Sequence, residues 1–325
     1  MSKKIKIGVL GCADIAKRFL IPALIESPGF NLVGIASRTK KKANLFAKLF
    51  DTNAFHNYES LLDDQIDAVY IPLPNGLHFN WIKKALEKDL HVLVEKSLAC
   101  SLKEVIELNK IAKERKLVLL ENFQFRFHSQ LEYIKNKIKN GELGEVHLIR
   151  SSFGFPPFND KDNIRYNKEI GGGSLLDAGA YTLKVSQIFL GENIFVDSAQ
   201  LTYSDEYEID ISGSGLLKQK DGKATAQVAF GFNHFYQNCL EVWGSKGRIK
   251  AKRIFTAGPD IEPPIHEEDN QHSKLIYLHK DNHFNNMLLH FSSLISGSKE
   301  LDNEYNQNFN QARLIEEFRK KSMSF

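Results

Sequence analysis

The sequence predicts an α/β chain in two parts: a doubly wound parallel sheet over residues 1–122, then an α+β domain with an open, mostly antiparallel sheet over 123–325. Three observations predict it. Short apolar runs alternate with helical stretches as far as Leu120, which is the rhythm of βαβ units. The first run, Ile5 to Leu10, leads straight into a glycine turn and a helix. After Phe123 the pattern shifts to alternating apolar and polar residues, as in strands with one face on a core.

In order, strands are expected near Ile5 to Leu10, Leu32 to Ala36, Ala68 to Ile71, Val92 to Val94 and Leu117 to Leu120. Between the last two, Ser101-Leu102-Lys103-Glu104 forms a capping box, and Val105, Leu108, Ile111 and Ala112 follow at helical spacing. A helix near His128 to Lys139 and the turn Gly141-Glu142-Leu143-Gly144 lead into strands over Ile211 to Leu217, Ala224 to Phe232 and Cys239 to Val242. One helix interrupts this sheet, beginning after Gly171-Gly172-Gly173 and running to about Leu190. The stretch Gly258 to Pro264 reads as a surface loop.

At 325 residues the chain is long enough for two domains with substantial cores. Its 43 basic and 40 acidic residues give a formal charge of +3 with no long run of one sign, which argues against a nucleic-acid partner. Cys12, Cys100 and Cys239 are odd in number, widely spaced and without CxxC pairing, so neither a disulfide framework nor a metal site is expected. No apolar run approaches the ~18 residues of a spanning helix, and the charged N-terminus enters a strand too short for a signal segment. The expectation is a cytoplasmic protein without a membrane partner.

In a dinucleotide-binding (Rossmann) turn, one glycine permits the tight bend, a second lets the backbone approach the pyrophosphate, and a third small residue allows close helix packing. Gly11, Ala13 and Ala16 hold those places here. The middle glycine is replaced, so the motif draws its weight from context: it follows a strand and opens a helix. At the end of the second strand an acidic residue would bind a ribose hydroxyl, whereas a basic one accommodates a 2'-phosphate. This chain has Ser37-Arg38-Thr39, with Lys41 and Lys42 close behind, and so predicts NADP(H) over NAD(H).

The run His91-Val92-Leu93-Val94 closes on Glu95-Lys96, an ionisable pair where a parallel sheet opens onto its ligand crevice. Carbonyl reduction needs a proton donor at the oxygen and benefits from a cation beside the developing alkoxide. Lys96 is placed to be that cation, while Asp177 and Tyr181, four residues apart, share one helix face. The plainer reading is that Ser174-x-x-Asp177 is a capping box, Tyr181 a core residue and Lys96 a solvated strand end.

Together these residues resemble the glucose-fructose oxidoreductase / inositol dehydrogenase (Gfo/Idh/MocA) family. The resemblance runs through Gly8 to Ala16, Asp67 to His78, His91 to Lys96, Arg126-Phe127-His128, Gly171 to Tyr181 and Trp243 to Arg248. It implies a Rossmann domain, a second domain with an open antiparallel sheet, and a homodimer or homotetramer joined through that sheet. It implies that Pro74, Asn75 and Glu95 lie near the nicotinamide end, with Leu73 and His78 also on the cofactor. Gly11, Cys12, Ala13, Asp14, Ile15, Ser37, Arg38, Thr39 and Lys41 are implied along the rest of the cofactor. Lys96 is implied at the reaction centre, and Arg165 beside cofactor or substrate.

By resemblance Tyr181 is the acid or base, Lys96 its electrostatic partner and Asp177 the orienting carboxylate. The family's Glu-Lys-Pro is Glu95-Lys96-Ser97 here, which predicts a looser strand exit. Tyr181 stands where inositol-dehydrogenase-like members have histidine, as in the sugar 3-ketoreductase branch. The stretches Val9 to Ala16, Ser212 to Gly215 and Leu240 to Gly244 are similar to bacterial reductases of nucleotide-linked keto sugars. The expectation is NADPH-dependent reduction at C3 of such a sugar. The alternatives are a dehydrogenase of a free sugar, inositol or dihydrodiol, and a non-catalytic dinucleotide-binding regulator.

Overall fold

A computed structural model describes residues 3–323. Its contacts divide the chain into two compact units, one of residues 1–122 and 284–309, the other of 123–283 and 310–325. The return of 284–309 to the first unit differs from the sequence reading, which assigns all of 123–325 to the second.

The first unit opens with β1 (Ile5–Leu10), a π-helical turn (Ala16–Leu20) and α1 (Ile21–Glu26). Then follow β2 (Phe30–Ala36), α2 (Lys40–Phe50), β3 (Asn53–Phe55), α3 (Tyr58–Leu62), β4 (Ala68–Ile71), α4 (Asn75–Glu87), β5 (His91–Glu95), α5 (Leu102–Arg115) and β6 (Leu119–Asn122). Six parallel strands lie in the order β3-β2-β1-β4-β5-β6. Strand order therefore reverses between β1 and β4, and the crevice at the carboxyl ends of these strands is where such sheets bind ligands. Val9, Leu10, Val92, Leu93, Val94 and every residue of β4 are buried, as strands covered on both faces require. The capping box forms as read: the Ser101 hydroxyl accepts from the Glu104 N–H, and the Glu104 carboxylate accepts from the Ser101 N–H.

The second unit contains α6 (Ser129–Lys139), β7 (Val146–Gly154), a π-helical turn (Leu175–Gly179) running into α7 (Ala180–Leu190), β8 (Ile194–Ser204), β9 (Ile209–Gln219), β10 (Thr225–Gly231), β11 (Gln237–Gly244), β12 (Gly247–Lys252), β13 (Pro264–Asp269) and β14 (Ser273–Tyr277). Its eight strands lie in the order β14-β13-β12-β11-β7-β10-β9-β8. Neighbours are antiparallel except β7 and β10, whose parallel pairing needs the long connection that carries α7. The predicted strands near Ile211, Ala224 and Cys239 are β9, β10 and β11, each a residue or more off at its ends. Sequence periodicity did not reveal β3, β7, β8, β12, β13 or β14, nor α8 (His283–Ile295) and α9 (Asp302–Ser322). Among the described residues no helix is long and apolar enough to cross a membrane, and no group of three or more His, Cys, Asp or Glu residues could hold a metal ion. All three cysteines are free thiols.

Candidate active site

In the first unit, four strand ends build the crevice. At the end of β1, Gly11 takes φ +135°, a conformation side chains rarely adopt, and a Cβ there would stand 2.9 Å from Leu73 Cδ2. Glycine is thus required by the backbone conformation. Cys12, Ala13 and Ile15 are half-buried, Ala16 is fully buried, and Asp14 points to solvent with Arg18 at 3.4 Å. Burial pushes the Cys12 thiol up, against the influence of Ser37 and Lys42.

At the end of β2, Ser37 is buried and its hydroxyl accepts from the Thr39 N–H. Arg38 and Lys41 are exposed. The Arg38 guanidinium lies near the Tyr58 phenol; burial makes that phenol a weaker acid than usual and the arginine charge partly offsets this. Arg38 is thus an exposed planar guanidinium at the end of β2, a fork suited to a phosphate. The glycine turn, the small buried Ala16 and this fork fit a dinucleotide carrying a 2'-phosphate.

At the end of β4, Pro74 leads into α4, and Asn75 Oδ1 accepts from the Ser97 N–H at 3.1 Å. His78 is fully buried, with Nδ1 2.8 Å from the Ser97 carbonyl and Nε2 2.7 Å from the Leu73 carbonyl. A neutral ring donates to only one of these and an imidazolium to both. Burial outweighs that second bond, and with the nearby Lys96 charge it pushes the imidazole down to about 4. Ser97 is 1% exposed, its peptide bond with Lys96 is cis, and its N–H and C=O are both engaged. The looser strand exit expected from the missing proline is thus not found: a serine N–H makes a bond that proline lacks.

Glu95, at the end of β5, accepts from the Tyr70 hydroxyl at 2.7 Å and from Asn122 Nδ2 at 2.8 Å, both at Oε1. Enclosure raises its carboxyl above the usual range, against these two bonds and the Lys96 charge. Tyr70 and Asn122 were not singled out from sequence. They sit on the neighbouring strands β4 and β6, and only strand pairing brings them to Glu95.

In the second unit, Arg165, Asp177 and Tyr181 come together. Arg165 Nε donates to Asp177 Oδ2 at 2.6 Å, its guanidinium lies 5.1 Å from the Phe158 ring centre, and its charge faces the Tyr181 phenol. Asp177 holds this arginine charged, raising its already high value further. The capping-box reading of Ser174-x-x-Asp177 is not what forms. Ser174 has helical dihedrals and makes no cap bond from its side chain, and the Asp177 carboxylate is turned to Arg165.

Tyr181 is 7% exposed, with its ring 5.1–5.6 Å from those of Phe123, Phe125, Phe153 and Phe255. Such aromatic contacts are worth ~0.5–1.5 kcal/mol each beyond area burial, so the ring is firmly oriented. One turn further, buried Lys184 places its ammonium 5.5 Å from the Phe123 ring centre. Sequence reading did not select it, because a lysine amid apolar positions looks like a solvated face.

Comparisons with known proteins give this geometry a lineage. Residues 5–123 match the profile described as "Oxidoreductase family, NAD-binding Rossmann fold", and residues 131–250 match the "GFO/IDH/MocA C-terminal domain". The chain is 42% identical to a dTDP-3,4-didehydro-2,6-dideoxy-alpha-D-glucose 3-reductase of Saccharopolyspora spinosa, covering 82% of this chain and 80% of that one. It is 35% identical to D-xylose 1-dehydrogenase (NADP(+)) 2 of Haloferax volcanii, covering 78% and 77%. Its fold matches the 3-ketoreductase KijD10 of Actinomadura kijaniata, crystallised with NADP and TDP-benzene, at TM-score 0.94 and 34% identity over 98% of both chains. The family expected from the nucleotide turn, the Glu95-Lys96 strand end and the glycine-led helix is therefore established: the chain belongs to the Gfo/Idh/MocA family of oxidoreductases.

Proposed function

We propose that this protein is an NADPH-dependent ketoreductase that reduces C3 of a nucleotide-linked deoxysugar. The observation that carries the reading is similarity, along nearly the whole chain, to 3-ketoreductases of such sugars. The Arg38 fork at the end of β2 supports NADPH over NADH.

When bound, NADPH supplies the hydride. The chain's own residues handle the proton and the charge. Tyr181 gives its phenolic proton to the oxygen of the reduced carbonyl, and the Lys96 ammonium stabilises the alkoxide as it develops. Asp177, fixed by Arg165, orients the acid side of the site. Glu95, through Asn122, and Asn75, through the Ser97 N–H, hold the chain on either side of Lys96 at the end of β5. Cys12, Ala13, Asp14, Ile15, Thr39, Lys41 and His78 complete the cofactor crevice in this reading.

The test is turnover of a dTDP-linked 3-keto deoxysugar with NADPH, compared with the free sugar. Strong preference for the linked substrate is expected; equal turnover would favour a free-sugar dehydrogenase, the reading to which the D-xylose dehydrogenase lends weight. The same proposal includes a cytoplasmic location, where NADPH is regenerated. It also includes self-association through the second unit's sheet, where Trp243 is 46% exposed on β11 with the Arg150 guanidinium 5.2 Å from its ring centre.

A further inference from the structure

The π-helical turn Leu175–Gly179 carries Asp177 into α7 and Tyr181, yet no side-chain bond of its own caps its start. That start is held from another strand. Asp210, near the beginning of β9, uses a single carboxylate oxygen, Oδ2, to accept from the Leu175 N–H at 2.6 Å and from the Ser174 hydroxyl at 2.8 Å. Its other oxygen fills the space above Gly173, where a Cβ would stand 2.5 Å from Oδ1 and where φ is +116°. The far end of the turn is seated on β10, because a Cβ on Gly179 would stand 2.9 Å from the Phe230 ring.

The glycine run closes the other side. Gly173 N–H donates to the Arg165 carbonyl at 3.0 Å, and a Cβ on Gly172 would lie 2.6 Å from that same oxygen. Arg165, Asp177 and Asp210 are therefore linked through one short piece of backbone, with Asp177 between two anchors.

We propose that Asp210 is a positioning residue for the reduction, fixing the turn so that Asp177 meets Arg165 and Tyr181 presents its hydroxyl. This rests on the roles given to Asp177 and Tyr181 above. Displacements near 1 Å at a distance from the reacting atoms can cost ~100-fold in rate. The geometry makes the effect separable from charge. Both bonds converge on one oxygen, so asparagine, with an acceptor of the same shape, can replace the carboxylate, whereas alanine cannot.

The experiment measures kcat, KM for the sugar nucleotide and NADPH affinity in Asp210→Ala and Asp210→Asn. For Asp210→Ala the expected result is a fall in kcat of about tenfold or more with NADPH affinity unchanged, and for Asp210→Asn a return to within about threefold of the unmodified enzyme. A residue that only supports folding would lower thermal stability and leave kcat of the folded enzyme unchanged, and that outcome overturns the proposal. So does equal loss in both variants. If Asp210→Ala does not fold, Ser174→Ala, which removes one donor, carries the test: a fall of about two- to fivefold in kcat is expected, and an unchanged kcat overturns the proposal. Failure of the underlying reading has a separate signature, full turnover by Tyr181→Phe.

Discussion

Tyr181 and Arg38 make the sharpest claims at the scale of single residues. A phenylalanine at 181 keeps the aromatic contacts and removes only the hydroxyl. Tyr181→Phe should therefore fold normally, bind NADPH normally and lose about 10²–10⁴ in kcat, read by steady-state kinetics. Retained kcat would remove Tyr181 from the proton path. Arg38→Ala should weaken NADPH by about ten- to a hundredfold and leave NADH nearly unaffected, because the lost contacts are charge-assisted bonds to a phosphate that NADH lacks. Fluorescence titration with both cofactors decides it, and equal weakening of the two would contradict the phosphate fork. Arg38 is proposed from sequence because it stands two residues past the end of β2, where a dinucleotide's ribose is bound. The Arg165–Asp177 pair could not be read in this way, because eleven intervening positions without periodicity do not announce a contact.

At the scale of elements, α5 was legible in full because its signals are local: a capping box at its start and apolar residues at helical spacing. Ser101→Ala should cost about 1 kcal/mol, seen as a lower urea midpoint with unchanged slope. No measurable loss would mean the cap is replaced by solvent. The last helix shows the opposite case. Asn308 and Gln311 in α9 are almost fully buried, and their side-chain amides donate to the Leu119 carbonyl and the Ala180 carbonyl respectively. Buried amides satisfied by distant backbone erase the apolar stripe on which periodicity depends. The π-helical turn at Leu175–Gly179 was likewise invisible, since its cap comes from β9 rather than from the preceding residues.

For the molecule as a whole, acid sensitivity is expected from His78. Its imidazole is moved from the usual 6.5 to about 4 by burial, so the folded state binds fewer protons than the unfolded state between these values. Stability is therefore undiminished above the unfolded value, falls as pH drops from about 6.5 toward 4, and levels off below, by about 3 kcal/mol in total from this group. Urea unfolding at pH 7 and pH 4.5, with His78→Gln as comparison, should show a smaller acid loss in the variant; parallel curves would contradict the assignment. Self-association is checked by size measurement with Trp243→Glu, which is expected to shift the protein toward monomer while each fold stays intact. A monomeric unmodified protein would remove the sheet interface.

The sequence by itself determined five of the six parallel strands of the first unit, the nucleotide turn and the ionisable strand end, because each depends on residues adjacent in the chain or one helical turn apart. Tertiary structure alone decided the pairings: Glu95 with Tyr70 and Asn122, Asp177 with Arg165, Asp210 with the turn that carries Asp177, and the four phenylalanines around Tyr181. Local propensity is written in short stretches of sequence, whereas these partners meet only after strands have paired and loops have closed over a shared core.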